Sequence, residues 1–184
     1  ALRVTYVGEL GWELYAPSEF GPALWDTLIE AGRPHGLTPA GYRAIDALRL
    51  EKGYRVWSTD ITPDETPYEA GLGFAVALDK PGGFIGQEAL RVANAAGPRK
   101  RLRCLVLDDQ RSVCLGNEPV RVGGAIVGRV TSGTLSPVLD VGIGMAYVPS
   151  ALAGPDNDLV IDVRGKHKAA RTARRPLVET SPKE

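Results

Sequence analysis

Close to the start of the chain, Tyr6, Glu9, Gly11 and Glu13 follow one another in the pattern Tyr-x-x-Glu-x-Gly-x-Glu, on a stretch that reads as strand. The two oxygens of a carboxylate on such a strand can accept two parallel N–H donors, as they do from a guanidinium. A pterin presents that shape along its amide and amino edge. Glutamates at a glycine-containing turn can also be no more than strand-edge charges in water. Spacing alone leaves both readings open.

Other chemistry has little raw material. His35 and His167 are the only histidines, and neither stands beside a cysteine or a carboxylate cluster, so a histidine-based triad is not expected. His35, in RPHGL, reads as a solvated loop residue. Cys104 and Cys114 match no zinc or redox spacing and read as inert thiols, and no metal is expected. The chain has no GxxxxGK[ST] loop, no GxSxG elbow, no HExxH and no strand leading through GxGxxG into a helix. TSGTLSP, residues 131–137, could pass for a serine-nucleophile loop, but it lacks a base and reads as a structural barrel turn. By itself the chain does not look like a self-sufficient enzyme.

The elements that must position Tyr6 and the glutamates can be traced in order. Residues 2–15 predict two short strands around a turn. Ser18 is a candidate cap for a helix with Phe20, Leu24 and Leu28 on one side and Gly32 as its stop. Thr38-Pro39 opens a second helix that runs through ALRLEKG and stops at Gly53. Residues 59–67 read as loop, 72–78 as an apolar strand, and 84–96 as a third helix closed by Gly97-Pro98. Beyond Pro98 six short β-rich pieces alternate with glycine turns, which predicts a small antiparallel barrel or sandwich. The expected fold is α+β, with helices on a small antiparallel sheet over residues 1–97 and a β-barrel over 98–184. The last residues, TSPKE, read as a frayed tail.

Composition bounds the rest. The 184 residues carry 22 basic and 22 acidic side chains and are 43% hydrophobic. A chain of this length can bury about 70% of the surface its unfolded form exposes. Zero net charge argues against a polyanion or a membrane surface as the main partner. With no long apolar run and no basic leader, a cytoplasmic location is expected. The run RGKHKAARTARR, residues 164–175, carries six positive charges and no acid. Lacking interleaved aromatics, it reads as a solvated barrel edge rather than a nucleic-acid surface.

Longer motifs carry a resemblance. VTYVGELGWELY, AGYRAIDALRLEKGYRVWSTDITPDETPYEAGLGFAV, FIGQEAL, VGRVTSGTLSPVLDVGIGMAYVP and VIDVRGKHKAA, in this order, resemble the C-terminal half of the glycine-cleavage T-protein (aminomethyltransferase) family. EKGYRVW and TPDETPYEAGLGF look closest to the folate-binding portion of dimethylglycine and sarcosine dehydrogenases or oxidases. The resemblance implies a tetrahydrofolate site in which Tyr6 lines the pterin and Glu13, not Glu9, accepts from its N3 and amino groups. Tyr54 matches a position that contacts folate in some members. It also implies that FAD belongs only to an upstream flavin domain, and that the family's catalytic aspartate lies in an N-terminal part with no counterpart here. The partners implied are folate and that missing half or a flavin domain, with self-association through exposed sheet as a further expectation. Two departures stand out: Ile45 replaces the arginine that precedes the aspartate of DxLRLE, and Pro176-Leu177 replaces Pro-Phe. Arg43, two residues from Ile45, lies about 200° round the helix and cannot simply substitute. Besides a one-carbon transfer protein, a non-catalytic module of the same fold and a folate-dependent demethylase are both compatible with these residues.

Overall fold

A computed structural model of the protein describes residues 1–180, so most of the expected C-terminal tail lies outside the described residues. Strands β1 (Leu2–Arg3) and β2 (Trp12–Glu13) form an antiparallel hairpin, with Leu2 opposite Glu13 and Arg3 opposite Trp12. Gly11 permits the crossing of the two arms, because a Cβ there would sit 2.5 Å from the carbonyl oxygen of Val4. Helix α1 (Gly21–Gly32) follows a 3-10 turn at Ser18–Phe20, and no side-chain cap from Ser18 forms. The turn takes the place of the expected cap, since Phe20 N–H is satisfied by Pro17 O.

Helix α1 buries none of its residues, and Phe20, Trp25 and Leu28 remain exposed. Leu24 and Ile29 on the same helix are half-buried. Helices, a small antiparallel hairpin sheet and the barrel that follows together make the expected α+β fold. Helix α2 (Tyr42–Glu51) starts three residues after Pro39 and buries its last turn, Arg49, Leu50 and Glu51. Residues 72–78 are turn rather than strand. Leu72 N–H bonds to Pro67 O, Ala75 N–H to Leu72 O and Val76 N–H to Gly73 O, so the backbone is satisfied locally and no strand lies alongside. Phe74 is left exposed there. Helix α3 (Gln87–Ala96) ends at Gly97, as expected.

The six remaining pieces form β3 (Lys100–Leu107), β4 (Pro119–Val122), β5 (Ala125–Ser136), β6 (Val141–Pro149), β7 (Asp158–Val163) and β8 (Lys166–Ala173). They close into an antiparallel barrel in the order β3-β6-β5-β4-β7-β8, with β8 returning to β3. Residues 131–136 are the end of β5, not a turn. Leu105, Leu107, Val120, Val130, Val148, Leu159 and Ile161 fill one buried cluster. A second cluster sits under α2, where Leu50 packs with Leu102, Cys104, Ile143 and Met145. Alternation along β3, with Leu102 and Cys104 in one cluster and Leu105 and Leu107 in the other, is what lets one strand serve both. Leu177 packs against the second cluster and donates its N–H to Glu51 O, so the position where the family carries phenylalanine is closed by a leucine.

Candidate functional site

The barrel reaches the first hairpin through a buried polar relay. Arg49, at the end of α2, donates from Nη1 to Asp60 Oδ2 at 2.8 Å, and the two side chains are 4% and 0% exposed. Burying two charges is tolerable only when their remaining donors and acceptors are satisfied. Here they are. Asp60 also accepts from Val56 N–H and from the hydroxyls of Thr131 and Ser132 on β5, and Arg49 Nη2 donates to Ser132 Oγ. Arg49 Nη1 also donates to the carbonyl of Tyr54 at 3.1 Å. Tyr54 N–H in turn bonds to Arg49 O. Gly53 makes this turn possible, with φ +72° and with Arg175 Cβ only 2.9 Å from where a Cβ would stand.

The segment thus fixed presents Tyr54 to Tyr6. Their ring centroids are 6.3 Å apart with planes inclined at 33°, within the range of favourable aromatic pairs. Tyr6 Oη donates to Arg55 O at 3.2 Å, tying the hairpin to the residue after Tyr54. Burial raises the Tyr6 pKa above its usual value of 10.0, while the Arg49 charge opposes that rise, so Tyr6 is a neutral donor at ordinary pH. Tyr6 remains 40% exposed, so the pair forms an accessible wall.

Glu13 is exposed on β2 and accepts a short hydrogen bond at Oε2 from Tyr15. That bond raises the pKa of the Tyr15 phenol. A carboxylate has about four lone-pair sites, so acceptor capacity remains for a ligand. The structure brings Tyr6 and Tyr54 together; among the described residues the hydrogen bond to the Glu13 carboxylate comes from Tyr15 and from neither of them. Glu9 is exposed near the tip of the hairpin.

Sequence reading passed over Arg49, Asp60 and Ser132. The signal for Arg49 was an arginine between Leu48 and Leu50 in the last turn of a helix, where a buried position needs a partner. Also passed over were two consecutive Thr-x-x-Glu boxes, Thr62 to Glu65 and Thr66 to Glu69, in which each glutamate accepts from the threonine N–H at 3.0 and 2.9 Å. The remaining candidates are placed as follows. Ile45 is exposed on α2, and His35 is exposed in a 3-10 turn. Cys104 and Cys114 are both buried, which pushes each thiol up to about 12. In the basic run, Lys168 pairs with Asp109 and Arg171 with Asp108. No described helix is long and apolar enough to cross a membrane.

Comparison with known proteins decides the ancestry. The GCVT N-terminal domain family matches residues 1–80, and the glycine cleavage T-protein C-terminal barrel domain family matches residues 100–179. The chain belongs to the glycine-cleavage T-protein family. Human mitochondrial dimethylglycine dehydrogenase is 40% identical over 99% of this chain, which spans 21% of that enzyme. Aminomethyltransferase from Symbiobacterium thermophilum is 41% identical over 95% of the chain, which spans 46% of it. The crystal structure of glycine cleavage system aminomethyltransferase T from Bartonella henselae superposes with a TM-score of 0.88 at 32% identity, over 97% of this chain and 49% of that one. The T-protein-like chain therefore spans about half the length of these aminomethyltransferases and about a fifth of the dehydrogenase.

Proposed function

We propose that the chain is the tetrahydrofolate-binding portion of a one-carbon transfer protein, of the kind found behind the flavin half of dimethylglycine and sarcosine oxidising enzymes. The observation that carries this reading is the Tyr6–Tyr54 pair, an accessible aromatic wall held by a buried ion pair, in which Tyr6 comes from the hairpin that bears Glu13. A flat ring against that wall gains apolar contact, and a carboxylate on the same hairpin suits the two parallel N–H donors of a pterin edge. Tetrahydrofolate, when bound, supplies the nitrogen that takes up a one-carbon unit. The chain's own residues bind and orient: Tyr6 and Tyr54 line the ring, and Glu13 accepts from its polar edge.

Polypeptide beyond these residues, a further folate-domain half or a flavin domain, would cover apolar side chains such as Trp12, Tyr15, Phe20, Trp25 and Tyr42, each more than half exposed. The proton chemistry of transfer is assigned to such a half, since the resemblance puts the catalytic aspartate there.

Titration of the protein with tetrahydrofolate tests the reading. Replacing Glu13 by alanine removes a charge-assisted acceptor worth about 2 kcal/mol, so affinity is expected to fall about 30-fold. An unchanged affinity in Glu13→Ala overturns the assignment. Ile45, in place of the family's arginine, favours one second reading, a binding module without transfer activity. Tetrahydrofolate binding without formation of methylenetetrahydrofolate from the N-methyl amine would select it.

A further inference from the structure

A cavity of about 350 Å³ opens between the end of α2 and the rim of the barrel, within the size range of small-molecule sites. It is separate in direction from the aromatic wall. Tyr54 pairs with Tyr6, whereas its neighbour Arg55 lines the cavity. Leu102, Cys104 and Met145 contribute an apolar floor, and the charged lining consists of Arg55, Arg103, Arg174 and Arg175, with no aspartate or glutamate.

Among the described residues these four arginines have no carboxylate partners. The ion pairs among the described residues use Arg49, Lys100, Lys168 and Arg171 instead. Backbone carbonyls hold three of them in place. Arg55 donates from Nε and Nη2 to Ala70 O at 3.1 and 2.9 Å, and from Nη2 to Gly71 O at 3.2 Å. Arg175 Nη2 donates to the same Gly71 carbonyl, and Arg103 Nε to Ala153 O on the opposite lip. A Cβ placed on Gly71 would lie 3.0 Å from Arg55 Nη2 and 3.2 Å from Arg175 Nη2, so two like charges converge on one point.

Like charges at this separation repel, and an anion placed between them relieves that repulsion. Burial lowers the pKa of Arg175, and burial followed by the Arg101 charge lowers that of Arg103. Arginine does not give up its proton in proteins, so the positive charge persists and attracts an anion. Each guanidinium offers five donors, and the carbonyls use only some of them; Arg174 makes no hydrogen bond or ion pair among the described residues.

We propose that this cavity binds a small organic polyanion, a molecule bearing two or more phosphate or carboxylate groups, gripped by Arg55, Arg103, Arg174 and Arg175. Planar guanidinium groups suit both oxyanions through paired N–H donors. The proposal does not rest on the folate reading and is tested without folate.

Calorimetric titration with pyrophosphate and, separately, with citrate is run against a chloride background of matched ionic strength. At least one of the two is expected to bind saturably at one site, and the tighter of them identifies the source as phosphate or carboxylate. Arg174→Gln removes a side chain without a hydrogen-bond partner among the described residues, and Arg103→Met tests the half-buried side of the cavity; each is expected to weaken binding at least tenfold. Arg164→Gln/Lys166→Gln, a control that removes two positive charges elsewhere on the barrel, is expected to leave affinity unchanged. Absence of saturable binding by either anion overturns the proposal. So does an equal loss in the control variant, which marks diffuse attraction to a basic surface.

Discussion

Substituting Asp60 by asparagine tests the relay that holds the aromatic wall. The carboxylate is fully buried and is the ion-pair partner of Arg49, itself 4% exposed. Breaking a buried pair by removing one charge leaves the other uncompensated and costs about 3–5 kcal/mol. For a protein of this size each kcal/mol moves the thermal midpoint by about 2–4 °C, so Asp60→Asn is expected to melt about 6–20 °C lower. Overpacking cannot explain such a loss, since asparagine matches aspartate in shape. A double-mutant cycle with Arg49→Met isolates the pair, and a coupling of about 1.5 kcal/mol or more is expected for groups in such direct contact. Because Arg49 also holds the Tyr54 carbonyl, Asp60→Asn is expected to loosen the Tyr6–Tyr54 contact, read as faster amide exchange at Tyr54. A shift below about 3 °C with no coupling refutes the argument that this pair anchors the site.

Two further outcomes follow from the electrostatics. Burial pulls Glu65 up, but hydrogen bonds from Lys100 and Thr62 outweigh it and hold the carboxyl below its usual 4.5. A carboxylate held low stabilises the fold above that value, and this stabilisation is lost as pH falls through it. Wild-type protein is therefore expected to lose more stability than Glu65→Gln between about pH 5 and pH 3 in denaturant titrations at each pH. The buried thiols of Cys104 and Cys114, both pushed up to about 12, are expected to resist a thiol-labelling reagent at neutral pH in the native protein and to react in denaturant, as counted by mass spectrometry.

The barrel was legible because each strand carries its own alternation and its own glycine turn, so PVRV and DLVIDV could be read without knowing their neighbours. Residues 72–78 misled for the complementary reason. LGFAVAL has strand composition, but strand formation needs a partner, and the chain instead satisfies that backbone with turns. Helix α1 was readable from its period, whereas the exposure of its apolar side was not, since periodicity tells which residues share a face and says nothing of what covers it. Tyr6, Glu13 and Tyr54 came from resemblance rather than from spacing. Arg49, Asp60 and Ser132 lie 11 and 83 residues apart along the chain from Arg49, a separation that no local pattern can bridge. In the end β5 matters to the site for a reason that its sequence hid: TSGTLSP is a strand whose hydroxyls hold Asp60 and Glu51.

A crystal structure of the protein soaked with tetrahydrofolate addresses the central claim without an intermediary. The pterin is expected against the Tyr6 and Tyr54 rings, with its N3 and amino groups donating to the Glu13 carboxylate. A pterin bound elsewhere, or one whose polar edge turns away from Glu13, contradicts the claim.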